Sequence, residues 1–174
     1  MYQNTLVLRK EILGRENLST LDSMSGLVLV LCCQEKYEEA ESLLKRALAI
    51  YEQQLGPQHP DTATSLNNLS HLYYAQGKYE QAEPLLVRAL AIYEQQLGPQ
   101  HPDTASSLNN LASLYRAQGK YEQAEPLVAR VLAIREQQLG HLHPETQIIR
   151  GNYIALLRTV GRDEEATVLE TKHM

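Results

Sequence analysis

The sequence predicts an all-α fold in which antiparallel helix pairs stack on one another as a solenoid. Three observations carry this. The octet LGPQHPDT at residues 55–62 returns unchanged at 97–104 and, altered, as LGHLHPET at 139–146, which sets a period of 42 residues. Within a period, apolar residues recur at three- and four-residue spacing, as on a helix with one buried stripe. With ten Tyr and neither Phe nor Trp, the core must come mainly from Leu, Ala, Ile and Val, a set that favours helices. A unit of this size cannot bury its own stripe, so neighbouring copies must cover one another.

Taken in order, residues 1–12 read as the second helix of a preceding unit. Residues 13–54 form a first full unit, degenerate because Leu18 stands where the later units have a proline, Gly26 where they have asparagine, and Glu35 where they have the turn glycine. Residues 55–96 form the second unit. Its first helix carries Leu66, Leu69, Leu72 and Tyr73; its second, predicted to start near Glu80, carries Leu85, Leu86, Ala89, Leu90 and Ile92. Between them lies AQGKY, where Gly77 can take the positive φ that ends a helix and Tyr79 can pack over the turn. Pro84 and its counterpart Pro126 are expected near the first turn of the second helix, where most N–H groups lack intrahelical partners and a proline costs little.

Residues 97–138 repeat this unit with eight differences, at Thr64/Ser106, Ser70/Ala112, His71/Ser113, Tyr74/Arg116, Leu86/Val128, Val87/Ala129, Ala89/Val131 and Tyr93/Arg135. Residues 139–174 form a partial or capping unit in which Arg150, Tyr153 and Asp163 replace the usual residues and predict an outer, more solvated face. At each junction Gly56, Gly98 or Gly140 closes one helix. The next opens at Pro60, Pro102 or Pro144, followed by an acid and a threonine at its positive end. The octet is a stop and a start, and residues 1–174 read as one domain.

Composition excludes several functions. A formal net charge of −5 and a pI near 5.7 argue against a nucleic-acid surface. The sequence has no apolar run long enough to span a bilayer and no basic-then-apolar leader pattern, so a cytoplasmic protein without a membrane partner is expected. The sequons at Asn17 and Asn68 would then be idle. Adjacent Cys32 and Cys33 supply neither a disulfide framework nor a zinc spacing. Equivalent histidines His59, His101 and His143 sit one repeat apart, about 10 Å, too far to share an ion, so helix-entry or capping roles are expected. His141 and His143 lack a third ligand nearby. No metal, cofactor or catalytic constellation is expected: the paired acids Glu80/Glu83 and Glu122/Glu125 recur with the repeat and read as solvated helix faces.

The register resembles the tetratricopeptide repeat, with Leu66, Leu69, Ser70, Tyr73, Gly77, Tyr79, Ala82, Leu86 and Ala89 at its signature positions, and Leu108, Leu111, Ala112, Tyr115, Gly119, Tyr121, Ala124, Val128 and Val131 one period on. The 42-residue period with LNNLA, QGKYEQAEPL and RALAI is similar to the kinesin light chain-like subclass. The resemblance implies a right-handed superhelical solenoid whose first helices, helix A of each pair, line a concave groove.

It further implies a non-catalytic scaffold that binds an extended peptide there. Groove positions would be Asn67, Asn68, His71 and Tyr74, then Asn109, Asn110, Ser113 and Arg116, then Asn152, Ala155 and Arg158. Side-chain amides both donate and accept, so the asparagines suit a peptide backbone; the alternative is that they bond neighbouring helices or local backbone. Arg116, Arg158 and Arg150 predict a positive patch suited to an acidic peptide. The clamp of chaperone-binding members needs Lys or Arg where this chain has Ser25, Asn67 and Asn109, so chaperone tails are disfavoured. Two alternatives to the peptide scaffold are self-association through the terminal helices, and an engineered consensus repeat with no dedicated ligand.

Overall fold

The computed structural model describes residue 28 and residues 30–171, and within them the architecture is helix after helix. Helical residues 28 and 30–33 precede α1 (Tyr37–Gln54), α2 (Pro60–Ala75), α3 (Tyr79–Gln96), α4 (Pro102–Ala117), α5 (Tyr121–Leu139), α6 (Pro144–Thr159) and α7 (Asp163–Thr171). The chain divides into two compact units, Met1–Ile92 and Tyr93–Met174. In the first, α1 packs on α2; in the second, α4 packs on α5, α5 on α6, and α6 on α7. This is an all-α solenoid of paired antiparallel helices. The expectations for residues 1–12, Asn17, Leu18, Ser25 and Gly26 lie outside the described residues.

The junction octet works through local hydrogen bonds. His59, His101 and His143 are the N-caps of α2, α4 and α6, each accepting through Nδ1 from the backbone N–H two residues on, at 3.2, 3.2 and 3.3 Å. Proline follows at the first helical position, where its missing N–H costs nothing. Thr62 and Thr104 are fully buried, and their hydroxyls donate back to the carbonyls of Gly56 at 2.9 Å and Gly98 at 2.8 Å. Two orphan groups of the turn are thereby satisfied inside the core.

Within each pair the turn is equally local. Lys78 N–H donates to Tyr73 C=O at 2.8 Å and Gly77 N–H to Tyr74 C=O at 2.9 Å, with Gly77 at φ 70°. The degenerate first unit keeps this turn. Lys36 N–H reaches Leu31 C=O at 2.9 Å, and Glu35, in the glycine position, adopts φ 59°. Its Cβ crowds the backbone there at a cost of about 1 kcal/mol.

Two expectations are corrected. Pro84 and Pro126 lie inside α3 and α5, in the second turn and not the first, although those helices begin at Tyr79 and Tyr121, within one residue of the expected start. Each removes one intrahelical bond, yet the exposed side leaves the orphaned carbonyls of Glu80 and Glu122 open to water.

The last unit is not a uniformly solvated face. Arg150, at the place of fully buried Leu66 and Leu108, is itself buried. Its guanidinium pairs with Glu136 at 2.6 Å and donates to the His141 carbonyl at 3.3 Å. Tyr153 is half-buried and donates to Glu125 at 2.6 Å. The bond matches that of Tyr73 to Glu41, at 3.0 Å, where Glu41 and Glu125 are equivalent positions. The tyrosine has moved back one helical turn, and Leu157 fills its former place. Asp163 is exposed, as expected.

Candidate peptide-binding face

In unit 1 the first helices of the repeats and the inner edge of α1 enclose a cavity of about 390 Å³, lined by Val28, Cys32, Leu44, Asn68, His71, Leu72 and Ala75. Asn68 and His71 are sequence-predicted groove positions, and they share this wall because they lie three residues apart on one face of α2. Val28, Leu44 and Leu72 are buried beneath it. Val28, Cys32, Leu44 and Ala75 line the cavity besides the expected groove positions. The signal was available: Leu44 and Leu72 belong to the core stripe, and a stripe that is not fully covered becomes a floor.

The electrostatics of the cavity are mild. Desolvation by its surroundings lowers the His71 imidazole pKa below its ordinary value, although part of the side chain remains exposed. At neutral pH the ring is therefore an uncharged donor and acceptor. Burial, reinforced by neighbouring Cys33, raises the Cys32 thiol pKa and keeps it protonated.

Asn67 and Asn68 are half-buried, and neither side chain bonds a neighbouring helix or local backbone within the described residues; the Asn67 Oδ1 is buried without a donor. Tyr74 is exposed and leans on Tyr79, ring centroids 5.5 Å apart.

Unit 2 treats the same positions differently. Two periods on from Val28, Leu44 and Leu72 stand Ala112, Val128 and Leu156, which close with Ala124 into a buried cluster. Above it, Asn109, Arg116 and Asn152 are exposed, and Asn110 and Ser113 half-buried. Arg158 is exposed but engaged, donating to both carboxylate oxygens of Glu170 at 2.8 and 2.9 Å. The positive patch expected of Arg116, Arg158 and Arg150 is therefore not formed. Arg150 is buried against Glu136, Arg158 is neutralised by Glu170, and Arg116 alone remains an exposed cation outside any ion pair of the described residues.

Comparisons with known proteins agree with this architecture. The tetratricopeptide repeat family matches residues 1–53, 19–95, 71–137 and 103–172. A search of curated proteins returns no match. Among solved structures, a kinesin light chain-like protein with nearly identical TPR-like repeats from Podosopora anserina is 27% identical, with a TM-score of 0.77 over 98% of this chain and 81% of that one. BtubC (BKLC) from P. vanneervenii is 24% identical, with a TM-score of 0.82 over 98% of this chain and 68% of that one. A Rap protein complexed with Competence and Sporulation Factor shares the fold at 16% identity and a TM-score of 0.66, over 98% and 55% of the two chains. With family matches that together span residues 1–172 and a structure built of the family's paired helices, the chain belongs to the tetratricopeptide repeat family and is a protein–protein interaction module of that fold.

Proposed function

We propose that this module holds an extended peptide against the helix A face of unit 1, with an apolar side chain of the peptide seated in the unit 1 cavity. The observation that carries the reading is the cavity itself: its volume of about 390 Å³ falls in the range of ligand pockets, roughly 300–1,000 Å³. Its wall offers aliphatic surface and two neutral polar groups, Asn68 and His71, which suits an apolar anchor flanked by peptide backbone. On the same face of unit 1, Asn67 supplies a further neutral donor and acceptor and Tyr74 an exposed ring. Unit 2 by itself offers a ligand Asn109, Asn110, Asn152 and Ser113 as neutral groups and Arg116 as a charge; Arg158 contributes there only if a ligand carboxylate displaces Glu170.

The test is selection of binders from a random-sequence peptide library on the whole chain, followed by calorimetric titration of wild type, Asn68→Ala and His71→Ala. Loss of one neutral hydrogen bond, about 1 kcal/mol, weakens binding roughly fivefold. Peptides that bind both variants as tightly as wild type would sink the reading. A Thr64→Ala variant, whose hydroxyl bonds the Pro60 carbonyl at 3.2 Å on an exposed side of α2, serves as the unaffected control.

A further inference from the structure

A second cavity, also of about 390 Å³, opens on α6 and α7, lined by Tyr153, Leu157, Glu164, Glu165, Val168 and Leu169. The molecule itself shows what fills such a place. One period earlier, Tyr115 and Leu127 stand where Leu157 and Leu169 stand here. There, Tyr115, Leu127 and Tyr153 of α6 all pack against the buried cluster of Ala112, Ala124, Val128 and Leu156. The slot of α4 and α5 is thus completed by a tyrosine that the following helix supplies. At α6 and α7 none of the described residues supplies a counterpart. Leucine at 157 in place of tyrosine also leaves the slot wider, and Val168 at its edge is 64% exposed.

Charge narrows the occupant. Glu165 is taken by Arg162 at 2.5 Å and Glu170 by Arg158 at 2.8 Å. Asp163 and Glu164 are exposed, and neither enters an ion pair among the described residues, so the rim is acidic. The helix that completes the earlier slot carries one complementary charge toward it: Arg150, three residues before Tyr153, pairs with Glu136 of α5, while Arg158 turns to Glu170 of α7.

We infer that the α6–α7 slot docks an amphipathic helix of a partner protein, one that carries a bulky apolar anchor flanked by basic residues, in the manner of α6 on α4 and α5. This site is separate from the peptide face of α2 and does not depend on it.

The experiment titrates a fluorescein-labelled peptide of residues 144–159, PETQIIRGNYIALLRT, with the full chain and follows anisotropy. Saturable binding is expected, weakened at least about tenfold by Val168→Glu and by Glu164→Lys. Val87→Glu, the same change at a 47% exposed valine of α3, leaves it unaltered. All three positions are at the surface, and thermal melts check that the variants fold. Absence of saturable binding, or equal binding to Val168→Glu, overturns the inference. So does concentration-dependent self-association in light scattering that Val168→Glu abolishes and the peptide does not reverse, because the occupant is then a second copy. Peptides selected on the α2 face should bind Val168→Glu unchanged, so the two sites fail separately.

Discussion

At the scale of single residues, substitutions at equivalent positions of the repeat show what each position demands. Glu35 holds the left-handed turn that glycine holds elsewhere. Glu35→Gly should therefore stabilise the chain by about 0.5–1 kcal/mol, read as a rise in the denaturation midpoint. Arg150 occupies the place of Leu66 and Leu108 and satisfies its charge with Glu136. Removing the carboxylate with Glu136→Ala strands a buried cation and should cost about 2–4 kcal/mol. Arg150→Leu restores the apolar stripe and should be neutral or stabilising. Equal losses in both variants would show that the ion pair is a net source of stability. Neither role could be read from position 150 alone, since an arginine on an apolar stripe is indistinguishable from a solvated one until its partner, 14 residues upstream on another helix, is in place.

Among the elements, the junctions were legible because everything that makes them lies within a few residues. In the first two junctions histidine and threonine act on backbone groups no more than six residues away. Thr104→Val keeps the volume but strands the Gly98 carbonyl, and should cost about 1–3 kcal/mol. In the last junction the hydroxyl of Thr146 donates to the Arg135 carbonyl at 3.4 Å, a longer bond. Thr146→Val should accordingly cost less, and paired chemical denaturation of the two variants checks the order. The start of α3 was legible to within one residue, Tyr79 against the expected Glu80, yet Pro84 lies beyond the first turn, where a missing N–H would cost nothing.

For the whole molecule, the pH profile of stability joins the two tyrosine–glutamate bonds. In unit 1, hydrogen bonds from Lys45 and Tyr73 lower the Glu41 pKa. That contribution is fully present above the ordinary carboxylate range and is lost as pH falls through the lowered value. In unit 2, burial and the bond to Glu125 raise the Tyr153 pKa to about 12. The neutral phenol is favoured in the folded state, so its contribution is intact below pH about 10 and is lost as pH rises toward 12. Thermal midpoints should decline at both ends, and Tyr153→Phe should flatten the alkaline decline. An unchanged alkaline limb in Tyr153→Phe would assign that decline to other groups.

The sequence by itself determined the repeat, the helix pairs, their turns and caps, and the family, because each rests on interactions between residues close in the chain and is rewritten every 42 positions. It also placed Asn68 and His71 on one face. Only the tertiary structure decided that this face stands over a cavity in unit 1 while the equivalent residues of unit 2 close into a core. It likewise decided that Arg150 and Arg158 are neutralised by Glu136 and Glu170, and that Tyr153 reaches Glu125 from one turn earlier than its counterpart. Those outcomes depend on which side chains meet across helices, at separations of 12 to 28 residues for these three pairs, and a pattern of spacing along one helix carries no information about what lies opposite.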